Sequence, residues 1–157
     1  MDHAILARAL HILGAVLWIG GVGFVTTVLL PAVRRMKAAE ERVTFFEAVE
    51  QRFAWQARVT TLVVGGSGIY LVHAWNLWER FGSTAYWWMH AMVLVWAVFT
   101  VMLFIAEPLF LHRRLLEAAR ARPEQTFRRI ERMHWLLLFI SLVTVLGAMA
   151  GSHGWVS

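Results

Sequence analysis

Cysteine is absent from these 157 residues. That absence removes disulfides, iron–sulfur clusters, thiolate copper sites and the C-x-x-C-H attachment of a c-type haem, so any haem must be held non-covalently. Charge is scarce as well: Asp, Glu, Lys and Arg make up 16% of the chain, against 59% hydrophobic residues. With a mean hydropathy of +0.59, this balance excludes an ordinary soluble domain and implies one membrane domain over residues 1–157. Signals for processing and repetition are missing too. The first apolar segment has no basic n-region and no small-residue cleavage site before it, so no signal peptide is expected. A net charge of +5 would suit nucleic acid, but the basic residues cluster between apolar runs, as membrane orientation requires, and no nucleic-acid partner is expected.

What is present is a set of long apolar runs. About twenty apolar residues cross a bilayer, and lipid offers no partner to a bare backbone group, so such runs must be helices. Four spans are predicted, at about 9–30, 59–75, 87–111 and 135–151. Six of the 15 Lys and Arg fall from Arg34 to Arg58, seven from Arg113 to Arg132, and only Arg8 and Arg80 lie on the other side. The positive-inside rule then gives an all-α, antiparallel four-helix bundle of the inner membrane with both termini outside, in the periplasm of a Gram-negative cell.

The connections carry their own signals. Val43, Phe46, Val49 and Phe53 recur at steps of three and four, which predicts an amphipathic cytosolic helix over 36–56 that continues into the second span, with Glu50 interrupting the edge of its stripe. Pro123 marks a turn and Glu124 a new helix start. Trp75, Trp78, Phe81, Tyr86, Trp87, Trp88 and Trp155 read as an outer interfacial belt.

The seven histidines sort by depth. His11, His73, His90 and His153 fall at or just below the outer surface, one per helix; His112 and His134 lie near the inner surface, and His3 is terminal. In LHILGAVLWIGGVGFVTTVLLPAVRR, Arg8, Gly14, Ala15, Trp18 and Gly21 share the face of His11. A histidine above a glycine-lined groove and beneath an arginine is arranged to hold a haem whose propionates reach Arg8. The alternative is an interfacial histidine on a helix that packs closely through its glycines. His11 and His90 form the expected axial pair, as both lie a short way inside their spans, while His73 and His153 sit at span ends, facing headgroups or lining the site. A second haem is disfavoured, because His90 and His112 stand about 33 Å apart along one helix, nearly the whole hydrocarbon thickness. Glu107, in IAEPLF, is the one carboxylate inside a span. It reads as a proton relay or as an inward salt bridge, with Pro108 freeing a carbonyl beside it and Arg58 or Arg113 supplying charge. Met89 and Met92 flank His90 but share a face with each other, which suits packing rather than copper.

The first-span segment, together with GGSGIYL and WWMHAMVLVW, resembles the CopD and HemJ-like four-helix membrane proteins over most of the chain. The resemblance implies haem binding at His11 and His90. In the HemJ type, a haem-dependent protoporphyrinogen oxidase, a lysine follows the third-helix histidine by two residues; Met92 stands there in this chain, and Ile130 to His134 replace the family's entry to helix four. The expectation is therefore one haem b that moves electrons between an outer redox protein and a membrane partner such as quinone. Protoporphyrinogen oxidation and CopD-like copper transport or resistance are the alternatives. A homo-oligomer, or a subunit of a larger membrane complex, also fits surfaces of the GxxxxxGG type.

Overall fold

The computed structural model describes residues 3–36, 38–111, 114, 117, 118 and 121–154. The expectations for Lys37, His112, Arg113, Arg120 and Trp155 lie outside the described residues. Helix α1 (His3–Phe24) passes through a π-helical turn (Val25–Leu29) into α2 (Leu30–Arg35). There the Leu30 N–H bonds to Val25 O, five residues back. Pro31 comes next and supplies no N–H; opening the turn to the wider π register relieves the clash between a proline ring and the carbonyls below it. Thr26 and Thr27 bond back to Val22 O and Gly23 O at 2.7 and 2.8 Å, so neither hydroxyl is left bare in an apolar setting.

Helix α3 (Ala39–Ala74) joins the expected amphipathic segment to the second expected span without a break. Its apolar stripe packs within the chain. Val43 is buried with Val25, Leu29, Leu30, Val33, Phe127 and Ile130, and Phe46, Val49 and Phe53 pack against that cluster. Two 3₁₀ turns, Trp78–Gly82 and Thr84–Tyr86, lead into α4 (Trp87–Val101) and a second π-helical stretch, Met102–Leu111, which contains Pro108. Helix α5 (Pro123–Ser152) begins with proline in its first turn, where a missing N–H costs nothing.

Three helical stretches are long and apolar enough to cross a membrane: His3–Arg35, Thr84–Leu109 and Pro123–Ser152. The fourth long helix, α3, is more polar because its expected span carries Thr60, Thr61, Ser67 and His73. Most of α3's partnership is with α1, and most of α4's with α5; α1 also reaches α5, and α4 reaches α3 more sparsely.

Glycines set these approaches. A Cβ on Gly14 would lie 2.9 Å from Val64 Cγ2, and one on Gly65 would lie 2.6 Å from the Trp96 indole. Gly147 and Gly151 receive the rings of Trp87 and Trp88 in the same way. Trp88, expected in the outer belt, is therefore a packing residue at 6% exposure, whereas Trp75 and Trp78 stand out at 44% and 54%. Arg34 pairs with Glu131 and Arg42 with Glu124, each at 2.5 Å, tying α2 and the start of α3 to α5.

Candidate functional site

Two places along the helices gather polar groups. The first is built on His11, near the start of α1. Its Nδ1 lies 3.0 Å from Val64 O and 3.1 Å from Ser67 Oγ on α3. A carbonyl can only accept, so Nδ1 carries the proton and Nε2 the lone pair, the tautomer of a histidine that binds metal through Nε2. The ring lies over Gly68, where a Cβ would sit 3.1 Å from His11 Cε1. Arg8 reaches across to α3 as well, its guanidinium 5.9 Å from the centroid of the Trp75 ring.

The rest of the expected haem face is otherwise engaged. Val64 covers Gly14 and Phe53 covers Gly21, so the glycine groove receives α3 rather than a porphyrin. Trp18 is buried and meets Phe99 of α4 edge-on, with ring centroids 4.8 Å apart. That contact fixes which side of α4 faces α1. His11 is seven residues from Trp18, about 20° away in azimuth, whereas His90 is nine residues from Phe99, about 180° away. His90 is accordingly exposed, with Phe81 edge-on at 5.5 Å. The structure thus puts His11 on the α3 side and His90 on the far side of α4. These two imidazoles are therefore not brought together on one face. His73 is exposed in the last turn of α3, and His153 is exposed with Nδ1 2.8 Å from Met149 O of its own helix. Among the described residues no three His, Cys, Asp or Glu gather as a metal-holding group.

The second place is a cavity of about 70 Å³ between the helices. Its walls are mainly apolar, yet Trp18, Glu50, Glu107 and His134 also line it. Both π-helical stretches border it, through Val25 and Leu29 on one side and Met102, Leu103 and Glu107 on the other. The charge here follows from the backbone. In a π-helix the N–H of residue 108 would bond to Leu103 O, and Pro108 has none. Arg58 takes the place of that donor, with Nε 3.0 Å from Leu103 O and Nη2 2.6 Å from Glu107 Oε2. The carboxylate side chain is 16% exposed and the guanidinium 29%, so the pair is largely enclosed. On α5, His134 Nδ1 donates to Ile130 O at 2.9 Å, which leaves Nε2 as an acceptor. Trp18 Nε1 is buried and finds no acceptor among the described residues.

Sequence reasoning named Glu107, Pro108 and Arg58 but did not join them to Glu50, Trp18 or His134. The one available signal for Glu50 was its intrusion into the apolar stripe of Val43, Phe46, Val49 and Phe53. Compared with protein-family models, curated proteins and solved structures, the chain matches none.

Proposed function

We propose that the chain is a four-helix antiparallel bundle of the inner membrane, with both termini outside, and that it exchanges protons through Glu107 in the inner half of the bilayer. The observation that carries this reading is Arg58 holding Glu107 beside a cavity that Glu50 and His134 also line. A carboxylate inside a span is costly, and its ordinary compensation is a partner and a use. Arg58 supplies that partner, and movement of the guanidinium off Glu107 would open the carboxylate to a proton donor in the cavity.

Polar side chains continue outward along α3. Thr60 and Thr61 lie within a turn of Arg58, and Ser67, which meets His11, lies nine residues from it, about 14 Å along the helix. Thr61 Oγ1 is buried with no partner among the described residues. These groups mark a route from the inner cavity toward the His11 level.

The test is proton flux in vesicles that enclose a pH-sensitive dye, driven by a potassium gradient with valinomycin. Vesicles containing the protein should acidify or alkalinise at least about tenfold faster than empty ones, and Glu107→Gln should return the rate to that of empty vesicles. Flux equal to that of empty vesicles in the unaltered protein sinks the reading.

A second reading, favoured by the His11 tautomer, keeps a b-type haem with His11 Nε2 as its one ligand from this bundle. Such a haem would supply one-electron chemistry between an outer redox protein and quinone. His11 and Ser67 would orient its ligand, and Arg8 lies on the same outer face. An air-oxidised and then dithionite-reduced optical spectrum decides it: a Soret band lost in His11→Ala and kept in His90→Ala supports it, and no band after haem-replete expression removes it.

A further inference from the structure

The indole N–H of Trp18 poses a problem that the described residues do not solve. Trp18 is 4% exposed and its Nε1 has no acceptor among them. A buried donor left bare costs about 1–3 kcal/mol, and nearly all such groups in folded proteins have a partner. Trp18 also lines the cavity of about 70 Å³. That volume exceeds what one water needs, and a site keeps water when it offers each molecule two to four polar partners.

The few polar groups on this mainly apolar wall are complementary to water. The Trp18 indole can only donate. The carboxylates of Glu50 and Glu107 accept, and so does His134 Nε2, since His134 Nδ1 is committed to Ile130 O. A molecule that accepts from the indole and donates to a carboxylate or an imidazole must do both at once. An anion is disfavoured by two acids, and a bare cation by the N–H and by the Arg58 guanidinium held on Glu107.

The neighbouring elements account for the opening. Proline follows one π-helical stretch and interrupts the other, and both border the cavity, so the room arises where two helices leave the tighter α register. Every helix around it is accounted for in charge: α1 contributes the neutral Trp18, α3 Glu50 and Arg58, the π stretch after α4 Glu107, and α5 His134.

We propose that this cavity holds a small cluster of internal water, anchored on Trp18 Nε1–H, that links Glu107 to Glu50 and His134 as the inner proton-loading site. The hydration follows from the cavity itself; its use as a proton path rests on the function proposed above. A proton arriving at Glu50 or His134 passes through this water to Glu107. No bond other than O–H or N–H is made or broken, and no oxidant is required.

The test is nuclear magnetic resonance of the full chain in lipid nanodiscs with ¹⁵N-indole tryptophan, the Trp18 signal being assigned by its loss in Trp18→Phe. Trp18 Nε1–H should show a cross-peak to water while belonging to a fully buried ring. Ala57→Leu, whose side chain would grow into the cavity wall, should abolish that cross-peak and leave the other eight tryptophan signals in place. Ala54→Val serves the same purpose should Ala57→Leu fail to fold. A Trp18 N–H that is protected and silent toward water in the unaltered protein overturns the proposal. A water cross-peak without proton flux in vesicles overturns the functional reading instead, so the two failures are distinguishable.

Discussion

Arg58 and Glu107 sit 49 residues apart in sequence and 2.6 Å apart in space, and the same guanidinium also caps the carbonyl of Leu103. The geometry explains why arginine is needed there. Its planar fork reaches a carboxylate and a carbonyl from two separate nitrogens, Nη2 and Nε, while a lysine ammonium gathers its three donors at one point and lacks that fixed spread. The proline that orphans the carbonyl and the acid that needs a counter-charge are adjacent in sequence, so one side chain from α3 settles both.

Removing Arg58 should therefore damage the protein more than removing the charge of Glu107. Arg58→Met leaves two acceptors without a donor, Leu103 O and the Glu107 carboxylate, inside a largely enclosed site. Glu107→Gln keeps a hydrogen-bond acceptor for Arg58 and leaves the Leu103 bond intact. Breaking an enclosed ion pair from one side costs about 3–5 kcal/mol, and the 29% exposure of Arg58 lowers that toward the bottom of the range. Denaturation midpoints in mixed micelles should fall in the order native, Glu107→Gln, Arg58→Met. Equal midpoints for the two variants would show that the Leu103 bond contributes nothing.

Pro108→Ala restores the missing N–H. The added donor competes with Arg58 for the carbonyls of this turn, and the π stretch tightens toward the α register. Stability should rise, by up to about 3 kcal/mol if the proline's whole helix-interior cost is recovered. Proton flux should fall at the same time, because Arg58 loses the contact that positions it. A variant that is less stable than the native chain would contradict the account of the π stretch.

Much of the architecture was legible in composition, and the reason is physical. Lipid permits few backbone solutions, so a run such as Leu10 to Leu30 can only be helical, and Pro123 followed by Glu124 marks a helix start in any setting. The need for a donor beside Pro108 and Glu107 was legible for the same reason, since a bare carbonyl and a buried acid both require one, but the choice between Arg58 and Arg113 was not. The orientation of His90 was not. It depends on which side of α4 meets α1, and Trp18 with Phe99 fixes that only once the helices are packed. The role of the glycines was equally open, since a glycine face receives a helix or a flat ligand with the same sequence. Val64 over Gly14 and Phe53 over Gly21 chose the helix.

Gly65 provides a sharper check on that packing than Gly14. A Cβ on Gly14 meets a single methyl, Val64 Cγ2, at 2.9 Å, whereas one on Gly65 meets the body of the Trp96 ring at 2.6 Å. Trp96 is also anchored by its Nε1–H to Thr61 O at 2.9 Å, so it cannot retreat without losing a hydrogen bond. Gly65→Ala should thus destabilise by about 1–3 kcal/mol through overpacking and the strained bond. Gly14→Ala should cost less, and Gly66→Ala, which meets nothing within 4 Å, should be close to neutral. A different ranking of the three unfolding midpoints would mean that α3 does not meet α4 through Trp96.

Topology is open to a direct test because the chain carries no cysteine of its own. Ser83→Cys places a thiol between the two 3₁₀ turns that join α3 to α4, and Ala118→Cys places one in the basic connection before α5. The connection holding Ala118 carries Arg114, Arg122 and their neighbours, and the one holding Ser83 carries only Arg80, so the charge asymmetry assigns the first to the cytosol. A membrane-impermeant maleimide applied to spheroplasts should label Ser83→Cys at once and Ala118→Cys only after permeabilisation. Ala38→Cys, between α2 and α3, tests α3 itself and should label only after permeabilisation; should α3 fail to cross, as its lower hydropathy would allow, Ala38→Cys and Ser83→Cys would fall on the same side and label together. The proton route would then have no outer end, since Ser67 and His11 mark it only if α3 reaches the far surface.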